Sequence, residues 1–324
     1  MARENYDAIR TQFETYLESL KTRDTSLLSG IFMPDCKVYL STISSYPDGS
    51  QHSLNGICDF VKDQPATDGY YYRVCNYVCH ISGDHAQQSA TVVFHTYKNE
   101  GKGFVYFDFT QMYTNSWIRT EDGWKMPVLR MDLMNHSGDY KAFEENWFYE
   151  EPKAKWFPGV HLPCISGELD NPWHVIPVSE ETLTDEEQIL EAMSCYAYGI
   201  DTISFDNLPK ALSQDIVVNM QPWGTMDYRQ FIATLKYHRQ PDRYWTHPVK
   251  LDRCEITGET AFLRLYRMSG HAQRKHPLVY TNANKDHEFA CARYEIRLRK
   301  EDGVWKITRL EYLLGLLDLG KYEQ

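Results

Sequence analysis

The stretch YAYGIDTISFDNLPKALSQD, residues 196–215, carries the pattern from which the fold of this chain can be deduced. It has the pattern of a helix end, a break, a short second helical turn and entry into a strand at Ile216. Upstream, Thr184 is followed three residues later by Glu187, a capping-box spacing that predicts a helix start. Apolar residues then recur every three or four positions, which predicts one apolar side of a helix. These positions are Ile189, Met193, Ala197 and Ile200.

Tyr198 and Asp201 lie one turn apart near the edge of this apolar stripe. A carboxylate at the end of a helix usually faces water. If the helix covers a cavity, the same carboxylate becomes a buried acid. Both interpretations of Asp201 are open at this stage.

An internal repeat extends the pattern to the whole chain. The strings RTEDGWKM (119–126) and RKEDGVWKI (299–307) each place an Asp-Gly turn before a strand that contains tryptophan. Their turn glycines, Gly123 and Gly303, are 180 positions apart. Asp35 and Asp215, each ahead of a β-branched run, have the same spacing. The chain is therefore a tandem duplication.

Each half has a predicted helix at its start, over 6–21 and 186–200, and then a meander of long strands. This order predicts an α+β fold of two tandem domains. In each domain we expect a curved antiparallel sheet, wrapped around the long N-terminal helix as a cone that can hold a small ligand. The expected boundaries are 1–135 for the first domain, 136–181 for a connecting strap rich in Trp and Pro, and 182–324 for the second domain.

Composition limits the partners and the location. The formal net charge is −11, which argues against nucleic acid or an anionic membrane as a partner. No run approaches the ~18 apolar residues that a membrane helix needs. The start, MARENYDAIR, lacks the apolar core of a secretory signal. We therefore expect a cytoplasmic globular protein.

The order of elements resembles the NTF2-like fold, and specifically its SnoaL-like branch. The second half adds His247 in YWTHPVKL, His271 in RMSGHAQ and Arg293 in ACARYEIRLRKEDG. Together with Asp201, this pattern is similar to that of scytalone dehydratase, the bile-acid dehydratases and hexachlorocyclohexane dehydrochlorinase. The resemblance implies an acid–base dyad of Asp201 and His247.

The same resemblance implies further site residues. Arg293 would be a cation in the pocket, and Tyr198 or Tyr196 would be the helix tyrosine that hydrogen-bonds the substrate. Candidate substrate-binding residues are Tyr196, His271, Tyr266 and Trp245. Arg293 shares a strand face with Glu295 and Arg297, so this face fits solvent or a domain interface as well as a pocket.

The chemistry of the residue types agrees with this dyad. Elimination and double-bond isomerisation need a base that removes a proton from carbon, and an unperturbed histidine titrates near working pH. A carboxylate on the other ring nitrogen fixes the tautomer and stabilises the imidazolium. The chain has no G-x-G-x-x-G, Walker or H-E-x-x-H motif. We therefore expect no metal and no cofactor.

The predicted function is a lyase of the dehydratase type, acting on a hydrophobic or polycyclic small molecule. Two alternatives are open: an isomerase or cyclase that uses the same base, and a protein that binds a small molecule or partner without chemistry. Aligning the halves places Lys21 at the position of Asp201, Tyr72 at that of His247 and Met112 near that of Arg293.

The first domain is therefore predicted to have a degenerate site. We expect it to pack against the second domain as an intramolecular pseudo-dimer, and a homo-oligomer is also open.

Overall fold

The structure is a computed structural model that describes residues 2–40, 50–51, 53–143, 164–238, 246–268 and 290–314. The chain divides into two compact units, Met1–Thr182 and Leu183–Gln324. The described residues of the predicted connecting strap belong to the first unit.

The first unit begins with helices α1 (Ala2–Thr22) and α2 (Leu28–Ile31). Strands β1 (Phe32–Leu40) and β2 (Ser50–Gln51), helix α3 (Leu54–Lys62) and the long strands β3 (Gly69–Ser82), β4 (His85–Glu100), β5 (Gly103–Thr120) and β6 (Gly123–Gly138) follow. The short helices α4 (Gly167–Asp170) and α5 (Pro172–Val175) come later. The strand order in the sheet is β2-β1-β6-β5-β4-β3.

The second unit repeats this order. It contains α6 (Asp185–Asp201), α7 (Leu208–Ala211), β7 (Leu212–Met220), β8 (Gly224–Met226), α8 (Tyr228–His238), β9 (Val249–Thr257), β10 (Thr260–Met268), β11 (Ala290–Glu301) and β12 (Val304–Leu314). Its sheet has the order β8-β7-β12-β11-β10-β9. The predicted α+β fold of two tandem domains is confirmed.

Both sheets are mixed and not antiparallel throughout. Strand β1 pairs with β6 in parallel, and β7 pairs with β12 in parallel. The strands β3 to β6 and β9 to β12 are joined in succession as antiparallel neighbours, so their directions alternate. The chain returns to its first long strand only after this meander, and a pairing across such a crossover can be parallel.

Helix α6 begins where the sequence predicts. The hydroxyl of Thr184 accepts from the Glu187 N–H at 3.3 Å, and the Glu187 carboxylate accepts from the Thr184 N–H at 2.8 Å. This reciprocal capping box satisfies two donors that the helix itself leaves open. Every residue of α6 from Ala192 to Asp201 is buried. The end of the helix therefore lies in the interior of the second unit.

The segment before α6 follows the edge of the first sheet. The carbonyl of Ile176 lies 2.8 Å from Nδ1 of His80, and the Glu180 N–H donates to the Ile81 carbonyl at 2.8 Å. The ring of Trp173 meets His80 edge-on at 5.9 Å. These contacts bind the described part of the segment to strand β3.

Among the helices that the structure describes, none is both long and apolar enough to cross a membrane.

Candidate active site

Asp201 is the last residue of α6, and its side chain is 0% exposed. The C-terminal end of a helix carries partial negative charge, so a buried carboxylate there is unfavourable unless donors compensate it. Thr202 is the C-cap residue, and its N–H donates to the Tyr198 carbonyl at 3.0 Å. Of the two interpretations of Asp201, the structure shows the buried acid.

His247 supplies two hydrogen bonds to this carboxylate. Its backbone N–H donates to Asp201 Oδ2 at 2.8 Å, and its ring Nδ1 lies 2.5 Å from Oδ1. The imidazole is 9% exposed. One residue thus engages both oxygens of the acid.

His247 lies two residues ahead of β9 and not on the strand itself. Pro248 has no N–H and cannot donate to a strand ladder, although its carbonyl accepts from the Met268 N–H at 2.7 Å. The backbone N–H of His247 is bound by Asp201 instead of by a neighbouring strand.

The contact between Nδ1 and the carboxylate decides how the ring can act. Asp201 holds the proton on Nδ1, so Nε2 is the nitrogen that can take a proton from a reacting molecule. The carboxylate also stabilises the imidazolium that results.

Tyr196, one of the two candidate tyrosines of α6, has a ring contact to the dyad. Its ring meets that of His247 edge-on at 6.5 Å and stacks on Phe231 at 6.1 Å. Tyr198 is also buried, one helical turn before Asp201. Both tyrosines are therefore interior residues of the second unit, and their roles remain predictions.

Arg293 and Tyr266 are not brought to the dyad. They form a cross-strand pair on β11 and β10, and Arg293 makes an ion pair with Glu295 at 3.2 Å. Side chains alternate between the faces of a strand, and the buried neighbours Ala292 and Tyr294 point to the opposite face. The predicted position of Arg293 in a pocket is thus replaced by a partly exposed ion pair.

Trp245 and His271, two further predicted substrate-binding residues, lie outside the residues that the structure describes.

A different arginine lies beside the dyad. Arg267 on β10 is 1% exposed, and its Nε donates to the Thr246 carbonyl at 2.7 Å. Its Nη1 donates to the Tyr312 hydroxyl at 2.8 Å. Arg267 thus holds the backbone of Thr246, the residue directly before His247. The sequence carried a signal for this residue, because Arg267 continues the buried alternation of Leu263 and Leu265.

Tyr294 is a second residue that the sequence interpretation missed. It is 0% exposed, and its ring packs on Tyr312 at 4.8 Å. Burial raises the pKa of Tyr294 well above its ordinary value, and the nearby Tyr196, Tyr312 and Asp201 add to the rise, while Arg267 opposes it. This phenol therefore stays protonated at neutral pH.

Comparison with known families identifies the class of protein that this fold and these residues define. The profile of the SnoaL-like domain matches residues 1–130 and again residues 181–311. The chain therefore belongs to the SnoaL-like family, within the NTF2-like fold, as a tandem pair of domains.

Solved structures with similar folds each cover about one half of the chain. The Kfla4162 protein from Kribbella flavida is 16% identical, with a TM-score of 0.38, over 42% of this chain and 95% of its own. An NTF2-like superfamily protein from Salmonella enterica is 13% identical, with a TM-score of 0.34, over 41% and 93%. An NTF2-like protein with a cystatin-like fold from Novosphingobium aromaticivorans is 15% identical, with a TM-score of 0.33, over 41% and 83%. A search of curated proteins found no match.

Proposed function

We propose that the second domain is a cofactor-independent lyase that eliminates water from a hydrophobic small molecule. In this proposal His247 is the base that removes a proton from carbon, and Asp201 positions it. The observation that supports this most directly is the buried contact in which both oxygens of Asp201 are bound by His247. A histidine oriented in this way is suited to general base catalysis.

The proposed reaction balances without an oxidant or a reductant. Nε2 of His247 takes the proton from carbon, and the electron pair of that C–H bond becomes the new double bond. The C–O bond at the neighbouring carbon breaks, and the leaving oxygen takes the proton back from the imidazolium. The products are an unsaturated compound and water.

The surroundings of the dyad favour an apolar substrate. Tyr196 and Phe231 present aromatic rings, and Leu265 and Ala292 are buried on the inner face of the sheet. Apolar side chains gain free energy by covering the apolar surface of a substrate but discriminate weakly between similar hydrocarbons. We therefore assign a hydrophobic or polycyclic compound and leave its identity to experiment.

An isomerase is the second candidate function. If the imidazolium returns its proton to a different carbon, the double bond moves and no group leaves. The buried guanidinium of Arg267 favours this candidate, because a cation close to the dyad can stabilise an enolate-like charge. The packing of the two domains against each other stays a prediction. The same holds for a homo-oligomer and for a cytoplasmic location.

The general-base proposal can be tested without knowledge of the natural substrate. β-Tetralone is a hydrophobic ketone with acidic C–H groups, and proton NMR in deuterium oxide follows their exchange. We expect the protein to accelerate this exchange and His247→Ala to slow it by about 100-fold to 10,000-fold. Tyr72→Phe, the change at the equivalent position of the first half, should leave the rate unchanged.

Circular dichroism should show that His247→Ala is folded. An unchanged exchange rate in that variant would overturn the proposed base. If the protein binds β-tetralone but does not exchange it, the alternative of a binding protein without chemistry is favoured.

A further inference from the structure

The two sheets differ at one edge, although the strands there have the same place in the repeat. Strand β3 lies at one end of the first sheet, and β9 lies at the matching end of the second. Ile81 of β3 pairs with Ala86 across the turn that follows. Ile256 of β9 pairs with Ala261 in the same way. The registers thus make Ile81 and Ile256 structural equivalents.

The edge of the first sheet is covered by its own chain. The Glu180 N–H donates to the Ile81 carbonyl at 2.8 Å, and the Ile81 N–H donates to the Ser179 hydroxyl at 2.9 Å. Ile81 is only 1% exposed. Both backbone groups of Ile81 therefore point away from β4, and the segment before α6 satisfies them.

The matching edge of the second sheet is open. Ile256 is 39% exposed, and Arg253 and Glu255 beside it are exposed as well. Hydrogen-bond directions alternate along an antiparallel strand, so the N–H and carbonyl of Ile256, and those of Cys254, point away from β10. Within the part of the chain that the structure describes, the sheet ends at β9. Such an edge is a template for pairing with another chain.

The charges of this edge select one register of self-pairing. Arg253 and Glu255 form an ion pair with each other and are about half exposed. Charged side chains on an edge normally discourage pairing. If β9 pairs with its own copy about Arg253, two arginines lie opposite each other, and about Glu255, two glutamates do. About Cys254, each arginine lies opposite a glutamate of the other copy, which is favourable.

We propose that two copies of this chain associate by antiparallel pairing of their β9 edges, with the two-fold axis at Cys254. The backbone groups of Cys254 in the two copies then bind each other, and an Arg253–Glu255 pair lies on each side. This association is independent of the function assigned to the dyad. Because the contact is confined to a few residues, we expect a weak dimer with a dissociation constant of about 1 μM to 1 mM.

Charge reversal tests the proposed register. Arg253→Glu or Glu255→Arg alone places like charges opposite each other and should raise the dissociation constant by about 10-fold to 100-fold. The double variant Arg253→Glu/Glu255→Arg again has opposite charges across the axis and should recover the wild-type constant. Sedimentation equilibrium over a range of protein concentrations measures all four proteins. Recovery in the double variant cannot come from misfolding of the single variants.

A matched ion pair distinguishes the edge of the sheet from its face. Arg309 and Glu311 of β12 form the same kind of exposed pair, two residues apart. Strand β12 has a neighbour on both sides, so this pair is not at an edge. Arg309→Glu should leave the dissociation constant unchanged. If it weakens association as much as Arg253→Glu does, the copies associate through the face of the sheet, and the proposal is overturned.

Cross-linking tests the position of the axis. Hydrogen-bonded residues directly opposite each other have Cα atoms about 5.5 Å apart. A short bifunctional maleimide should therefore join the Cys254 thiols of two copies and give a covalent dimer on a denaturing gel. Cys58→Ser, which removes another partly exposed thiol, should keep this product, and Cys254→Ser should abolish it. A monomer at every concentration, a dimer insensitive to Arg253→Glu, or a cross-link that persists in Cys254→Ser overturns the proposal.

Discussion

The two halves of the chain have sheets of the same topology but differ at the positions that would carry chemistry. The second half buries Asp201 against His247 at the end of its first helix. At the equivalent positions the first half has Lys21 and Tyr72. Lys21 is 42% exposed and makes an ion pair with Glu18 at 3.0 Å, and Tyr72 donates to the same Glu18 at 3.2 Å.

This difference shows that burial, and not the presence of charge, distinguishes the candidate site. Both helix ends carry ionisable side chains, but those of the first half satisfy one another close to solvent. The second half holds its carboxylate at 0% exposure, where hydrogen bonds from His247 replace those of water. The same fold thus supports a surface ion pair in one half and a buried contact of carboxylate and imidazole in the other.

The largest effect should follow from removing the charge of Asp201. In Asp201→Asn the side chain keeps its shape, but its amide can accept through only one atom and must turn an N–H toward one of the two donors of His247. The ring then loses its preferred tautomer, and we expect exchange of β-tetralone to slow by about 100-fold to 10,000-fold.

The same variant should keep the circular dichroism spectrum of the folded wild-type protein, because the amide has the size and shape of the carboxylate. Lys21→Met is the matched change in the first half. It removes an exposed ion pair worth about 0–1 kcal/mol and should leave exchange untouched. Equal loss of exchange in both variants would contradict the assignment of the site to one half.

A smaller effect is expected from Arg267, which has Val92 as its equivalent in the first half by the registers of the two sheets. Arg267→Met should lower the free energy of unfolding of the second unit by about 1–3 kcal/mol, because the Thr246 carbonyl and the Tyr312 hydroxyl lose a buried donor. Urea unfolding measures this change.

Arg264→Met is the control on the same strand. Arg264 is 29% exposed on the other face and pairs with Asp252 at 3.4 Å, so its removal should cost about 0–1 kcal/mol. If the two variants are equally stable, Arg267 does not hold the segment that carries His247.

Much of this architecture could be predicted from local sequence patterns. The capping box predicted the start of α6, and the repeated Asp-Gly turns before a tryptophan identified the duplication. Each of these signals spans only a few residues of sequence. The contact between Asp201 and His247 crosses 46 positions and needed the comparison with related proteins. Parallel pairing of β1 with β6 could not be predicted, since no local pattern encodes the direction of a distant partner.

The prediction for Arg293 failed for a different reason. Its place in a pocket was implied by the family resemblance and not by the strand pattern. Burial alternates without a break along β11, where Ala292, Tyr294 and Ile296 are buried and Arg293 and Glu295 are partly exposed. Alternation within β10 alone would have indicated Arg267.

The smallest expected effect concerns the strand aspartates, Asp35 and Asp215, which have the same place in the repeat. Asp215 accepts from the Ser213 hydroxyl at 2.5 Å and from Arg299 at 3.2 Å, and these donors lower the pKa of its carboxyl. No ion pair of Asp35 occurs among the residues that the structure describes. A lowered pKa in the folded state stabilises the protein at pH values above the ordinary aspartate pKa, and this stabilisation is lost as the pH falls through the folded pKa.

Asp215→Asn should therefore lower the free energy of unfolding at neutral pH by at most about 1 kcal/mol, since the group is exposed and screened by water. The difference from the wild-type protein should vanish in acid, where the carboxyl is protonated in both the folded and unfolded states. Asp35→Asn should change the neutral stability less. Urea titrations over a series of pH values measure both variants. A deficit of Asp215→Asn that persists in acid would show that it arises from packing and not from the charge of Asp215.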